Sequence, residues 1–111
     1  MQLDDYQARA AQTDFTTNDD PVFSRMYLSM GLAGETGEVV EKMKKVVRNA
    51  GGEVSGEKRD EIKKELGDVL WYLSQLARSL GISLNDVAET NLQKLADRAA
   101  RNVLKSEGDS R

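Results

Sequence analysis

The sequence predicts an all-α fold, a four-helix bundle with a short first helix and two long central helices. Apolar residues recur every three or four positions along most of the chain, which is the spacing of a helix with one buried face. No segment shows the apolar–polar alternation of a half-buried β-strand. We therefore expect one domain over residues 1–111, with a polar tail over residues 105–111.

The first half of the chain contains two of the predicted helices. Leu3, Tyr6 and Ala10 share one helical face, which predicts a short helix over residues 3–14, followed by a polar loop. Asp20 and Pro21 resemble an N-cap and the first helical position, so a long second helix should begin there. It should end near residue 49, before a pair of glycines.

Two glycines, Gly34 and Gly37, interrupt this second helix. Each costs about 1 kcal/mol relative to alanine in a helix interior. Glycine at such a position marks close packing or the close approach of a ligand. We expect close helix packing at both.

The second half of the chain contains the third and fourth predicted helices. The third should run from about Lys58 to residue 80, with Gly81 as its C-terminal cap. The fourth should begin at Ser83, with Asp86 three residues on, and continue to about Leu104. Its predicted inward face consists of Leu84, Ala88, Leu92, Leu95 and Ala99.

One aromatic residue does not follow the pattern of the third helix. Trp71 lies opposite the apolar stripe of that helix when the residues are spaced at about 100°. It therefore predicts a second packing surface, most simply a subunit interface.

The composition excludes several classes of site and partner. The chain has no cysteine and no histidine, which excludes thiol nucleophiles, disulfides, imidazole bases and zinc sites. The net charge of -3 offers no basic surface for nucleic acid. No apolar run approaches the roughly 20 residues that span a membrane, and no cleavable leader is evident, so we expect a cytoplasmic protein.

Two acidic pairs carry the strongest functional signal. Glu35 and Glu38 lie three residues apart in the second predicted helix, and Glu65 and Asp68 have the same spacing in the third. Side chains at this spacing are neighbours on one face of a helix. Two such helices packed together would present four carboxylates to one volume, which suits a hard divalent cation such as Mg²⁺.

Structural explanations compete with a metal site. An acidic pair is often a solvated helix face, and ion pairs with Lys42, Lys45 or Lys94 would also satisfy the charges. Glu35 argues against a solvated face, because it falls within the apolar stripe of its helix, where an unpaired carboxylate costs several kcal/mol. Ion pairs would satisfy the charges but would not explain why acids border the apolar stripe on both helices. Tyr72 follows Asp68 by one turn and would either bind a ligand or pack.

These motifs resemble those of the MazG-like nucleotide pyrophosphohydrolases, in the all-α NTP pyrophosphatase superfamily. The family has Glu-x-x-Glu on one helix and Glu-x-x-Asp on the next, which Glu35, Glu38, Glu65 and Asp68 match. The sequences of the segments 31–39 and 65–72, which surround these acids, also resemble those of the family. A third block, Asn-x-x-Lys-x-x-x-Arg, is matched on the last helix by Asn91, Lys94 and Arg98.

The resemblance implies hydrolysis of a nucleoside triphosphate to the monophosphate and pyrophosphate. The four acids would bind Mg²⁺, or Mn²⁺ in its place. Lys94 and Arg98 match the family motif and would bind phosphates. Lys42 and Lys45 would also bind phosphates, but this expectation rests on their position on the helical wheel. Relatives suggest a homodimer or a dimer of dimers with the nucleotide between chains, and a role in removing non-standard nucleotides.

The general base is the open point of this assignment. Some relatives carry an additional glutamate just before the first motif acid, and Gly34 occupies that position here. Glu38 is then the first candidate for the base, with direct activation of water by the metal as the alternative. A catalytically silent module that binds Mg²⁺ and nucleotide is the alternative function, and a structural helical protein is a third.

Overall fold

The computed structural model describes residues 1–16 and 20–101, and every regular element in these ranges is helical. The elements are α1 (Leu3–Ala10), a 3₁₀ turn (Ala11–Thr13), α2 (Pro21–Ala50), α3 (Gly56–Ser79) and α4 (Leu84–Ala100). The all-α prediction with two long central helices is confirmed. The predicted end of the last helix at Leu104 and the predicted polar tail lie outside the described residues.

Most helix ends follow from capping residues that the sequence shows. The Asp20 carboxylate accepts hydrogen bonds from the backbone N–H groups of Val22 (3.0 Å) and Phe23 (3.3 Å), and Pro21 opens α2. Gly51 ends α2 with φ +61°, a conformation that favours glycine. The Ser83 hydroxyl caps α4 by accepting from the Asp86 N–H.

Two predicted boundaries were wrong. Helix α3 begins two residues before Lys58, because the Ser55 hydroxyl accepts a hydrogen bond from the Lys58 N–H at 3.1 Å and caps the helix earlier. The first helix stops at Ala10 instead of Asp14, since the chain tightens into the 3₁₀ turn before the loop.

Helices α2 and α3 form a long hairpin that makes up most of the molecule. Leu28 and Val46, one near each end of α2, are its most buried apolar residues. The helical spacing predicts both as part of one apolar stripe on this helix, together with Leu32, Val39 and Met43. Because the two helices pack along most of their length, residues near the middle of each face one another, and the acidic motifs lie there.

Helix α1 is attached to this hairpin by a buried polar network. The Gln7 side-chain amide donates to the backbone carbonyls of Ser74 and Ile82, both at 3.0 Å. Its oxygen accepts from the Leu84 N–H at 3.1 Å. Gln75 of α3 is 1% exposed and donates to the backbone carbonyl of Gln7.

The chain leaves much apolar surface uncovered. Its radius of gyration is 16.8 Å, whereas a compact domain of this length would have about 13 Å. The predicted inward face of α4 is wrong for the single chain. Leu84 is buried, but Leu92 is 65% exposed and Leu95 and Ala99 are also exposed.

Candidate metal and nucleotide site

Three of the four motif carboxylates converge between α2 and α3. Glu35 on α2 and Glu65 and Asp68 on α3 each offer an oxygen atom within 4.8 Å of the others. Glu35 and Glu65 are half-buried, whereas Asp68 is exposed. The fourth, Glu38, is exposed on α2 and lies outside this group of three, which we call the acidic cluster.

The surroundings of Glu35 disfavour its ionisation. Burial, followed by the negative charges of Asp68 and Glu65, raises the pKa of Glu35 above its usual range. A hydrogen bond between Glu35 and Glu65 and the more distant charge of Glu38 act in the same direction. A bound cation would remove this repulsion.

Lysines lie at one edge of the cluster. The Lys42 ammonium is 3.9 Å from a Glu65 oxygen and 4.0 Å from a Glu61 oxygen, so it reaches the cluster directly. Glu61 also accepts a hydrogen bond from Lys58, which lowers the pKa of the Glu61 carboxyl. Lys45 is more remote, because its ammonium lies 3.9 Å from Glu41 on its own helix.

A cavity of about 350 Å³ opens over the acidic cluster. It is lined by Thr13, Glu35, Asp68, Trp71 and Tyr72. Tyr27 of α2 lies beside the Tyr72 hydroxyl. Burial, and then the neighbouring Tyr27 and Glu35, raise the pKa of the Tyr72 phenol, so this hydroxyl stays protonated at neutral pH.

A glycine makes this position of Tyr72 possible. A Cβ atom at Gly31 would overlap the Tyr72 ring, which therefore rests on the backbone of α2. The expected close packing at Gly34 and Gly37 is wrong within this chain, because a Cβ at either would have no neighbour within 4 Å. Gly31 precedes Glu35 by one helical turn, a spacing from which its place beside the site could have been inferred.

Trp71 packs within its own chain. Its indole N–H donates to the Thr13 hydroxyl at 2.9 Å, and its ring meets the edge of Tyr72 with centroids 5.0 Å apart. A second packing surface was correctly predicted here, and within this chain it is the contact with the 3₁₀ turn after α1. The subunit interface stays a prediction.

A second cavity of about 400 Å³ adjoins the first on the α1 side, and we call it the α1 cavity. It is lined by Met1, Tyr6, Arg9, Ala10, Gln12 and Trp71, so Trp71 separates the two cavities. Burial, and then the charge of Asp68, raise the pKa of the Tyr6 phenol. Tyr6 is therefore within electrostatic reach of the acidic cluster.

The predicted α4 residues lie elsewhere in the single chain. Asn91 and Lys94 line a separate cavity of about 430 Å³ on α4 with Ile82 and Val87. Arg98 is half-buried near the end of the same helix. The residues that line the acidic cavity all come from the 3₁₀ turn, α2 and α3.

Comparison with known proteins agrees with this geometry. The model of the MazG nucleotide pyrophosphohydrolase domain matches residues 23–102, which include both acidic pairs and all of α4. The chain belongs to the MazG family. Membership implies nucleotide pyrophosphohydrolase activity, with a nucleotide as the substrate.

A phage protein resembles this MazG chain over its whole length. The Gene 37 protein of Mycobacterium phage L5 is 40% identical over 114 residues, which cover 100% of both chains. Its name states no activity. No solved structure matches the chain significantly.

The donor set of this MazG domain fits the divalent metal that the family uses. Three carboxylates from two helices offer hard oxygen ligands, and their mutual repulsion favours a cation between them. Among residues 1–16 and 20–101, no helix has the length and apolar character needed to cross a membrane.

Four residues of the site had no predicted role in it. Thr13 and Trp71 line the acidic cavity, Tyr27 lies beside Tyr72, and Tyr6 is within electrostatic reach of Asp68. Two of them carried a local signal: Trp71 follows Asp68 by three residues on α3, and Tyr27 precedes Glu35 by eight residues, about two helical turns, on α2. Tyr6 and Thr13 come from segments distant in sequence.

Proposed function

We propose that this MazG domain is an Mg²⁺-dependent nucleoside triphosphate pyrophosphohydrolase. Water would attack the α-phosphorus of an NTP or dNTP, the bond to the β-phosphate would break, and the products would be the monophosphate and pyrophosphate. The observation that supports this most is the convergence of Glu35, Glu65 and Asp68. Mn²⁺ should replace Mg²⁺, because it accepts the same oxygen ligands.

The acidic cluster would hold the cation, with Glu38 as a fourth acid nearby. When bound, the cation would neutralise charge on the triphosphate and lower the pKa of a water molecule. Glu38 is exposed and can accept the proton of the attacking water, which makes it the first candidate for the general base. Activation by the metal alone is the alternative.

Two side chains beside the cluster are suited to orient the phosphates. The Tyr72 hydroxyl, protonated at neutral pH, can donate a hydrogen bond to a phosphate oxygen. Lys42 already reaches Glu65 and can move to a phosphate as a point charge. Lys45 remains a weaker candidate, since it lies beside Glu41.

The remaining predicted ligands require an assembly. Asn91, Lys94 and Arg98 are carried by α4, whose apolar side chains at 92 and 95 are exposed in the single chain. We infer a homodimer or a dimer of dimers in which these apolar surfaces become buried. The α4 cations of one chain would then approach the nucleotide bound at another.

A pyrophosphate-release screen tests the proposed reaction. Ordinary, deoxy and oxidised nucleoside triphosphates are offered with Mg²⁺ or Mn²⁺, and at least one should yield pyrophosphate and the monophosphate. Asp68→Asn and Glu38→Gln should abolish turnover. Asp60→Asn, at an exposed aspartate on the same helix, is the matched control and should keep full activity. A preference for oxidised nucleotides would support a role in removing non-standard nucleotides.

Other outcomes would contradict the proposal. Wild-type turnover in Asp68→Asn would show that the acidic cluster is not the site. Nucleotide binding with no pyrophosphate release from any substrate would instead identify a catalytically silent Mg²⁺–nucleotide module.

A further inference from the structure

The α1 cavity is built like a ligand site, and the proposed chemistry does not use it. Its volume of about 400 Å³ falls within the range of about 300–1,000 Å³ that small-molecule sites occupy. Trp71 also lines the cavity over the acidic cluster, so the two cavities are neighbours. Asp68 and Trp71 are three residues apart on α3, which is about 4.5 Å along the helix.

Trp71 is held as a rigid aromatic surface. The Thr13 hydroxyl that accepts its indole N–H itself donates to the Ala10 carbonyl at 2.9 Å. The ring of Tyr72 supports the indole in an edge-to-face arrangement, with an interplanar angle of 82°. A side chain fixed on two sides loses little entropy when a planar ligand stacks on it, and such stacking contributes about 1–3 kcal/mol per base.

Polar groups of mixed character surround the remaining wall. Arg9 supplies a guanidinium that only donates hydrogen bonds, whereas the Tyr6 hydroxyl and the Gln12 amide both donate and accept. The edge of a nucleobase carries the matching carbonyl, ring-nitrogen and amino groups. Arg9 and Gln12 are exposed, so their side chains are accessible to a ligand.

We propose that the α1 cavity is the nucleobase site of this enzyme. The base stacks on Trp71, and Tyr6, Arg9 and Gln12 contact its edge. This inference rests on the proposed function, because it takes the triphosphate to lie at the acidic cluster. The charges agree with that orientation: the cation-binding carboxylates attract the phosphates through the metal, and the uncharged aromatic wall receives the base.

Intrinsic fluorescence tests the stacking directly, because Trp71 is the only tryptophan of the chain. Wild-type protein with Mg²⁺ is titrated with an α,β-methylene nucleoside triphosphate, which cannot be hydrolysed, and separately with inorganic tripolyphosphate. The nucleotide should quench the emission strongly, whereas tripolyphosphate should bind with little change. Equal quenching by the two, or none by a nucleotide that calorimetry shows to bind, would overturn the inference.

Kinetics of exposed variants provides the second test. Arg9→Ala and Gln12→Ala should raise KM for the nucleotide by about 5- to 100-fold, with kcat nearly unchanged. The inhibition constant of tripolyphosphate should not move. Arg25→Ala, at an exposed arginine of α2 that lines neither cavity, is the matched control and should resemble wild type.

The same experiments separate failure of this inference from failure of the proposed function. If Arg9→Ala weakens the binding of tripolyphosphate as much as the binding of the nucleotide, Arg9 binds phosphate and the base lies elsewhere. If the variants leave KM unchanged while wild type hydrolyses nucleotides, the nucleobase assignment alone is wrong. If wild type binds neither nucleotide nor tripolyphosphate, the proposed function fails and this inference fails with it.

Discussion

The Tyr72 ring lies directly on the backbone of Gly31, where a Cβ atom would overlap it. This contact joins α3 to α2 one turn before Glu35 and holds the Tyr72 hydroxyl beside Tyr27. The position of a candidate phosphate-binding group therefore depends on the absence of a side chain on the facing helix. Even a substitution as small as glycine to alanine at this contact should therefore disturb the site.

Gly31→Ala should displace Tyr72 and reduce activity. Overpacking at a close contact costs about 1–3 kcal/mol, which should exceed the roughly 1 kcal/mol that alanine contributes to a helix. Gly67→Ala, where a Cβ would meet open space, should instead raise the melting temperature. Thermal unfolding of both variants checks this. The explanation fails if Gly31→Ala remains just as destabilising in a Tyr72→Ala background, where no ring is present to collide with.

Divalent cations should stabilise the folded chain. A ligand at 100 times its dissociation constant adds about 2.7 kcal/mol to the free energy of unfolding. Mg²⁺ should therefore raise the melting temperature of wild type, and this rise should disappear in Asp68→Asn but persist in Asp60→Asn. Calorimetry in EDTA and in excess Mg²⁺ measures it. A rise of the same size in all three proteins would place the cation outside the acidic cluster.

The raised pKa of Glu35 predicts a pH dependence for the metal-free protein. Because the folded state binds this proton more tightly than the unfolded state, protonation favours folding. The contribution is complete below the usual glutamate pKa and is lost as the pH rises through the raised value. In EDTA, Glu35→Gln should thus gain stability over wild type as the pH rises above the usual glutamate pKa of about 4.3. A difference in the free energy of unfolding between the two proteins that does not change with pH above that value would contradict this.

The buried Gln7 amide should contribute strongly to stability. Gln7→Ala would leave the carbonyls of Ser74 and Ile82 and the Leu84 N–H without their partner. Unsatisfied buried groups cost about 1–3 kcal/mol each, so a loss of about 2–4 kcal/mol in the free energy of unfolding is expected. Urea unfolding measures it. Gln93→Ala, at an exposed glutamine of α4, should change stability by less than about 0.5 kcal/mol.

An exposed apolar surface should be buried between chains. Val40, Met43 and Val47 are exposed along one side of α2, beside an apolar cavity of about 350 Å³ that Leu66 also lines. Val47→Asp should dissociate the assembly while leaving the helical circular dichroism intact, whereas Val47→Ile should not. Sedimentation equilibrium distinguishes them. A wild-type chain that sediments as a monomer would contradict the proposed assembly.

Local sequence signals predicted the helices and the acidic residues of the site. The caps at Asp20, Gly51 and Ser83 and the spacing of the acidic pairs depend on residues within one helical turn of each other. The start of α3 also depends on a local signal, because Ser55 is a good N-cap and places the first helical residue before Lys58. The exposure of the α4 apolar face could not be predicted in this way. An apolar stripe indicates that a helix face becomes buried, but it does not indicate which helix or which chain buries it.

The sequence by itself determined an all-helical MazG chain with two acidic pairs on its central helices, because periodicity, capping and motif spacing are local properties. Only the tertiary structure decided which groups meet around those acids. Trp71 reaches Thr13 across 58 residues, and Gln7 reaches Leu84 across 77. Such pairings depend on the register and orientation of packed helices, which arise from the whole set of contacts and from no single segment.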